Sequence, residues 1–177
     1  PKDVAVVIVG FILGPLASVL VSVVASLLEM ISVSSTGPIG FLMNVLSTCA
    51  FAVPAAIIYR KMHNQKGAVV GLVSGIVCMA ICMVLWNYIV TPLYMGVPRE
   101  VVAGMLASVF LPFNLIKGAL NAVLTMLLYK PVVGSLRAAK LIEASPAKTE
   151  YKAVNLIVLV VVFAVLVVLF LKLAGVF

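Results

Sequence analysis

The chain has 177 residues, 65% of them hydrophobic and only 10% charged, and its mean hydropathy is +1.33. A soluble domain carries roughly a quarter charged residues, so a water-soluble enzyme, a disordered chain and a disulfide scaffold are excluded. The net charge of +7 comes from 12 Lys and Arg against 5 Asp and Glu, with eight of the bases in residues 60–66 and 130–152. Bases gathered between long apolar runs indicate membrane orientation rather than binding to nucleic acid.

Residues 1–3 have neither the basic n-region nor the cleavage site of a signal peptide. The first apolar run, 4–31, would reach about 42 Å as one helix, beyond the ~30 Å hydrocarbon core. Pro15 removes a helix hydrogen bond and disfavours helix at Gly14. Two helices are therefore predicted, 3–13 and 15–31, with Asp3 as N-cap of the first and Pro15 in the first turn of the second. A single long, kinked span is the alternative. Residues 32–38 are polar and turn-forming, and 39–59 form the next span, with Pro54 as a bend, closed by Arg60 and Lys61. A polar loop with His63 and Asn64 leads to a span over 67–90. The two prolines of 91–100 predict a loop. Residues 101–111 read as a short interfacial helix, and Pro112 opens a span ending at Tyr129 and Lys130. A basic linker, 132–152, precedes a final apolar span over 153–171.

The basic loops 60–66 and 130–152 belong on the cytoplasmic side. Loops 32–38 and 91–100, which carry the single base Arg99, then lie outside. The fold class is an all-α integral membrane protein. Small residues repeat every four positions in Gly67, Gly71, Gly75 and in Gly14, Ser18, Ser22, Ser26. Such stripes let helices approach closely, either within this protein or against another membrane subunit. Cys49, Cys78 and Cys82 all lie in apolar runs, so no disulfide framework follows. The spacing of Cys78 and Cys82 suits packing better than a metal.

The informative residues are polar groups at hydrocarbon depth. Lys117 lies about 20 Å along its helix from Lys130, where a charge is costly unless paired or wet. Asn114, Lys117 and Asn121 share one helical face. Asn87 and Asn44 reach the same outer level from two other spans. Carboxamides both donate and accept, and Lys only donates, so Asn44, Asn87, Asn114 and Lys117 suit an uncharged ligand with carbonyls, ring nitrogens or hydroxyls. The alternative is hydrogen bonding between helices as structural glue. No acid is expected on a neighbouring span at that depth; a Glu29–Lys117 pair is the one candidate. Catalytic and nucleotide motifs are missing, so active transport would need an energised partner.

The blocks DVAVVIVGFILGPLASVL, GPIGFLMNVLSTCAFAVPAAIIYRK, NYIVTPLYMGVPRE and LPFNLIKGALNAVLTMLLYKP resemble the riboflavin-specific substrate-binding (S) component of energy-coupling factor (ECF) transporters. The resemblance runs from about Asp3 to Arg137. It implies a bundle of about six transmembrane helices with a pocket on the extracellular side, no enzymatic activity and no cofactor, with riboflavin as the transported ligand. It implies as partners a membrane-embedded T subunit and two ABC-type ATPases, in a bacterial cell membrane, with no nucleic acid. The family's ligand-binding asparagine falls on Asn87, and the asparagine and lysine of PFNLIKG fall on Asn114 and Lys117. Asn44, Thr91 and Met43 complete the expected ligand-binding set, with Leu42 and Trp86 as further flanks for the flavin ring. The family's first helix and first outer loop have no counterpart before Pro1, and 153–171 is an extra helix. The domains expected are a core over 1–131, the basic cytoplasmic linker 132–152 and a C-terminal helix in 153–177. The competing readings are an S component for another vitamin and a non-transporting structural subunit. Flavin mononucleotide is disfavoured as ligand, because its phosphate would want more than one base near the pocket.

Overall fold

The computed structural model describes residues 2–32 and 37–140, and every element among them is helical. The helices are α1 (Lys2–Leu13), α2 (Pro15–Ser32), α3 (Gly37–Met62), α4 (Gln65–Met95), α5 (Arg99–Met105) and α6 (Leu111–Ala138). A π-helical turn, Leu106–Phe110, joins α5 to α6, so these run on as one rod. Four of the resulting five rods are long and apolar enough to cross a membrane. The exception is α1, whose 12 residues extend about 18 Å. Of the loop expected at 32–38, Ser32 ends α2 and Gly37 and Pro38 open α3, while residues 33–36 and the span expected at 153–171 lie outside the described residues.

The first apolar run is indeed two helices. Gly14 breaks it with φ +99°, and a Cβ there would lie 2.8 Å from the Arg60 guanidinium. The expected loop at 91–100 is corrected. Helix α4 continues through a buried Pro92 to Met95, and closes at Gly96 in the left-handed conformation with its N–H on the Pro92 carbonyl. A proline in such a helix forfeits one bond, while unravelling the turn in lipid would strand several. Helix α6 likewise runs through Pro131 to Ala138, so the start of the expected linker is helical.

Helix α1 is buried nearly all round, through Val4, Val6, Val7, Ile8 and Phe11. It packs against α2, α3 and α6 and wedges α3 from α6. At its far end Phe11 stacks on Tyr59 with ring centroids 4.3 Å apart, and Tyr129 meets both edge-on. Helix α4 lies against α3 backbone to backbone. A Cβ on Gly75 would be 2.3 Å from the Phe51 carbonyl oxygen, and one on Gly71 2.7 Å from that of Ala55. Ser18, Ser22 and Ser26 are likewise fully buried. Both small-residue stripes are thus used inside the bundle, not on an outer face. Cys78 is exposed, so it does not pack against a neighbouring helix as expected. The outer face of α2 carries Leu16, Leu20, Val24, Leu28 and Ile31, all more than half exposed, as lipid contact requires.

The bundle's two ends differ in charge. Arg60 reaches Gly14, and Tyr59 meets Tyr129, so Arg60, Lys61, Lys66 and Lys130 gather at one end. Lys2, Glu29, Asn44, Arg99 and Glu100 belong to the other.

Candidate ligand-binding site

Asp3 marks the layer at which α1 stops separating α3 from α6. Its Oδ1 accepts from Thr48 Oγ1 on α3 at 2.7 Å, and its Oδ2 from Asn121 Nδ2 on α6 at 3.1 Å. The carboxylate is only 3% exposed. One helical turn further out the two long helices face a cavity of about 230 Å³. Met43, Asn44 and Ser47 line it from α3, and Met83 and Asn87 from α4. The wall from the π-helical turn and α6 is Val109, Phe110, Phe113, Asn114 and Lys117. Val109 and Phe113 are about half exposed and mark the mouth.

Each polar group is held in place by its own neighbourhood. Asn87, buried at 6% exposure, donates from Nδ2 to the Met83 carbonyl at 2.7 Å and accepts the Thr91 hydroxyl on Oδ1 at 2.9 Å. Asn114 donates from Nδ2 to the Phe110 carbonyl at 2.8 Å. That carbonyl sits in the π-helical turn, just before Pro112. Turns of this π type recur at functional sites. The Asn114 side-chain oxygen takes no hydrogen bond among the described residues. Asn44 donates to Glu29 Oε2 at 3.2 Å.

Of the residues expected at the site, Asn44, Asn87, Asn114 and Lys117 come together from three helices to line this cavity, as does Met43. Thr91 does not line it and instead fixes Asn87. Leu42 is half exposed and is not in the wall. Trp86 packs against the hydrophobic core instead.

The expectation that Lys117 lacks an acid partner is overturned. Lys117 Nζ lies 3.5 Å from Asp3 Oδ2. Glu29 is engaged elsewhere, in an ion pair with Lys2. Asp3 itself is not an N-cap, because α1 already begins at Lys2 and the carboxylate points into the bundle. The signal was present: a carboxylate followed at once by an apolar run in which every face is hydrophobic has no solvent side to turn to. Sequence reasoning also missed Ser47, Met83, Phe110 and Phe113. Their types are common in any apolar helix, so nothing in the sequence singles them out. The cavity is mainly apolar with a few convergent polar groups, the usual make-up of a small-molecule site.

Residues 1–129 match the family described as ECF transporter, substrate-specific component. The chain is 31% identical over 155 residues to the riboflavin transporter FmnP of Bacillus subtilis (strain 168), covering 78% of this chain and 79% of that protein. It is 29% identical over 142 residues to the riboflavin transporter RibU of Staphylococcus aureus (strain TCH60), covering 77% and 75%. A solved structure described as "Structure and mechanism of the S component of a bacterial ECF transporter" aligns with TM-score 0.64 and 30% identity over 76% of this chain and 77% of that one. The chain is therefore a transporter component rather than an enzyme, and it belongs to the family of ECF transporter substrate-specific components.

Proposed function

We propose that the protein is the riboflavin-binding subunit of an ECF-type vitamin uptake transporter. It captures riboflavin on the extracellular side and delivers it together with a membrane T subunit and two ATPases. The observation that carries this reading is the convergence of Asn44, Asn87, Asn114 and Lys117 on one largely apolar cavity, in a chain whose relatives are named riboflavin transporters. The flavin ring lies between Met43, Met83, Phe110 and Phe113, and its carbonyls and ring nitrogens meet the carboxamides and the ammonium. A cavity of about 230 Å³ is small for a vitamin-sized ligand, so the ribityl chain extends through the mouth.

The orientation follows from charge. The end bearing Arg60, Lys61, Lys66 and Lys130 faces the cytoplasm, which turns the cavity outward in the cell membrane. Residues 1–131 form the ligand-binding core of a bundle of about six helices; the basic stretch 132–152, which begins as the end of α6, and the apolar stretch 153–177 follow it.

Purification from cells grown with riboflavin tests the reading. The protein should be yellow, with flavin absorption in the visible, and should bind riboflavin after the ligand is stripped. Colourless protein that binds no flavin on titration would overturn it in favour of another vitamin or a structural subunit.

A further inference from the structure

We infer that Ser47 is a further binding residue of the site: its hydroxyl, left without a partner inside the protein, donates a hydrogen bond to an acceptor on the flavin ring. The inference rests on the riboflavin reading above. Ser47 is 3% exposed and lines the cavity, yet its Oγ has no hydrogen-bond partner among the described residues. A hydroxyl on a helix commonly gives its proton to the carbonyl four residues back. Ser32, Ser108 and Thr125 do so here, donating to the carbonyls of Leu28, Gly104 and Asn121 at 2.6, 3.0 and 2.7 Å. Ser47 makes no such bond to the Met43 carbonyl. Ser18 and Ser22 are also without partners, but neither lines the cavity. Ser18 is packed against Gly10, where an added Cβ would lie 2.2 Å from its Oγ. Of the three hydroxyls, only that of Ser47 can be met by a guest in the cavity.

Depth and polarity decide what that guest offers. Helix α3 starts at Gly37 at the outer end and runs inward. Ser47 lies one turn deeper than Met43 and Asn44 on the same face. Its neighbour Thr48 spends its hydroxyl on Asp3, in the layer that closes the cavity. The ribityl chain leaves by the mouth, so the group that reaches Ser47 belongs to the ring. The ring carries carbonyl oxygens and unprotonated nitrogens but a single N–H, so it needs donors from the wall. Asn44, Asn87 and Asn114 each spend an amide hydrogen on Glu29, the Met83 carbonyl and the Phe110 carbonyl. The Lys117 ammonium is drawn towards Asp3. Ser47 is the one polar side chain of the wall that has committed none of its hydrogen-bonding capacity to the protein. A ring acceptor buried there without a donor would be costly, and the hydroxyl supplies that donor.

The test is flavin-fluorescence titration of the purified full chain and of Ser47→Ala, beside a thermal melt of each empty protein. The ligands are riboflavin and lumiflavin, the same ring with a methyl group in place of the ribityl chain. Ser47→Ala should weaken both flavins by the same factor, about threefold to tenfold. The empty variant should melt at or above the wild-type temperature, because the change removes a buried hydroxyl that has no partner and supplies a better helix former. Affinity lost with stability kept marks a bond made only to the ligand, whereas a hydroxyl that holds α3 in place would lower the melting temperature when removed. Unchanged riboflavin affinity in Ser47→Ala, a loss confined to riboflavin, or a variant that melts lower or does not fold overturns the inference. Wild-type protein that binds neither flavin overturns the riboflavin reading instead.

Discussion

Tyr59 and Tyr129 share a hydrogen bond of 2.5 Å between their hydroxyls, and this contact joins α3 to α6 at the basic end of the bundle. Beyond it α1 keeps the two helices apart until the layer of Asp3, where the cavity begins. Closure at one end and separation at the other make the site a wedge whose opening is set by the thickness of α1. Tyr59→Phe should lower stability by about 0.5–1.5 kcal/mol, the usual net worth of a hydrogen bond, and leave flavin affinity unchanged. A thermal melt in detergent beside a flavin titration measures both.

Gly75 and Gly104 give an opposed pair. A side chain at Gly75 would strike the Phe51 backbone carbonyl, which cannot move without displacing α3. Gly75→Ala is expected to destabilise by about 1–3 kcal/mol through overpacking. Gly104, on α5, has nothing within 4 Å of the equivalent position, and Gly104→Ala should raise stability by about 0.4–1 kcal/mol by restricting the unfolded chain. A melting temperature that does not fall in Gly75→Ala would contradict the packing of α4 on α3, and one that falls in Gly104→Ala would contradict the open face at that position.

The reach of sequence reasoning followed the physics of the bilayer. Long apolar runs and the Gly14–Pro15 break located the helices, because the period and punctuation are local. The carboxamides and Lys117 were legible because a polar group in hydrocarbon needs a reason. Pro92 was misread, since its turn-forming habit in water is overridden where an unravelled backbone has no solvent to bond to. The partner of Lys117 was missed because Asp3 and Lys117 are separated by most of the described chain, and only the tertiary fold puts α1 between α3 and α6.

Lys117 and Asn114 present one ammonium and one uncommitted carbonyl to the cavity. Lys117→Ala and Asn114→Ala should each weaken riboflavin binding at least tenfold, about 1.4 kcal/mol. Asn114→Ala also removes the side-chain bond to the Phe110 carbonyl, so some loss of stability accompanies it. Lys117→Ala leaves the Asp3 carboxylate buried without its charge partner, which is costly. Titration at a temperature where each variant is folded separates affinity from stability. Unchanged affinity in both would remove these residues from the binding site.

Thr91 touches no part of the cavity, yet its hydroxyl donates to the Oδ1 of Asn87, which does. With Nδ2 held by the Met83 carbonyl, that bond fixes which end of the carboxamide points where. Thr91→Val keeps the shape and removes the donor, so Asn87 gains freedom to rotate and must be ordered again when ligand arrives. The expected result is a loss of riboflavin affinity of about threefold to tenfold, smaller than for Asn87→Ala, with little change in the melting temperature of the empty protein. In Asn87→Ala the hydroxyl has nothing left to orient, so adding Thr91→Val should cost no further affinity. A double-mutant cycle by flavin titration measures this coupling, and strictly additive losses would mean that Thr91 acts on the ligand by some route other than Asn87.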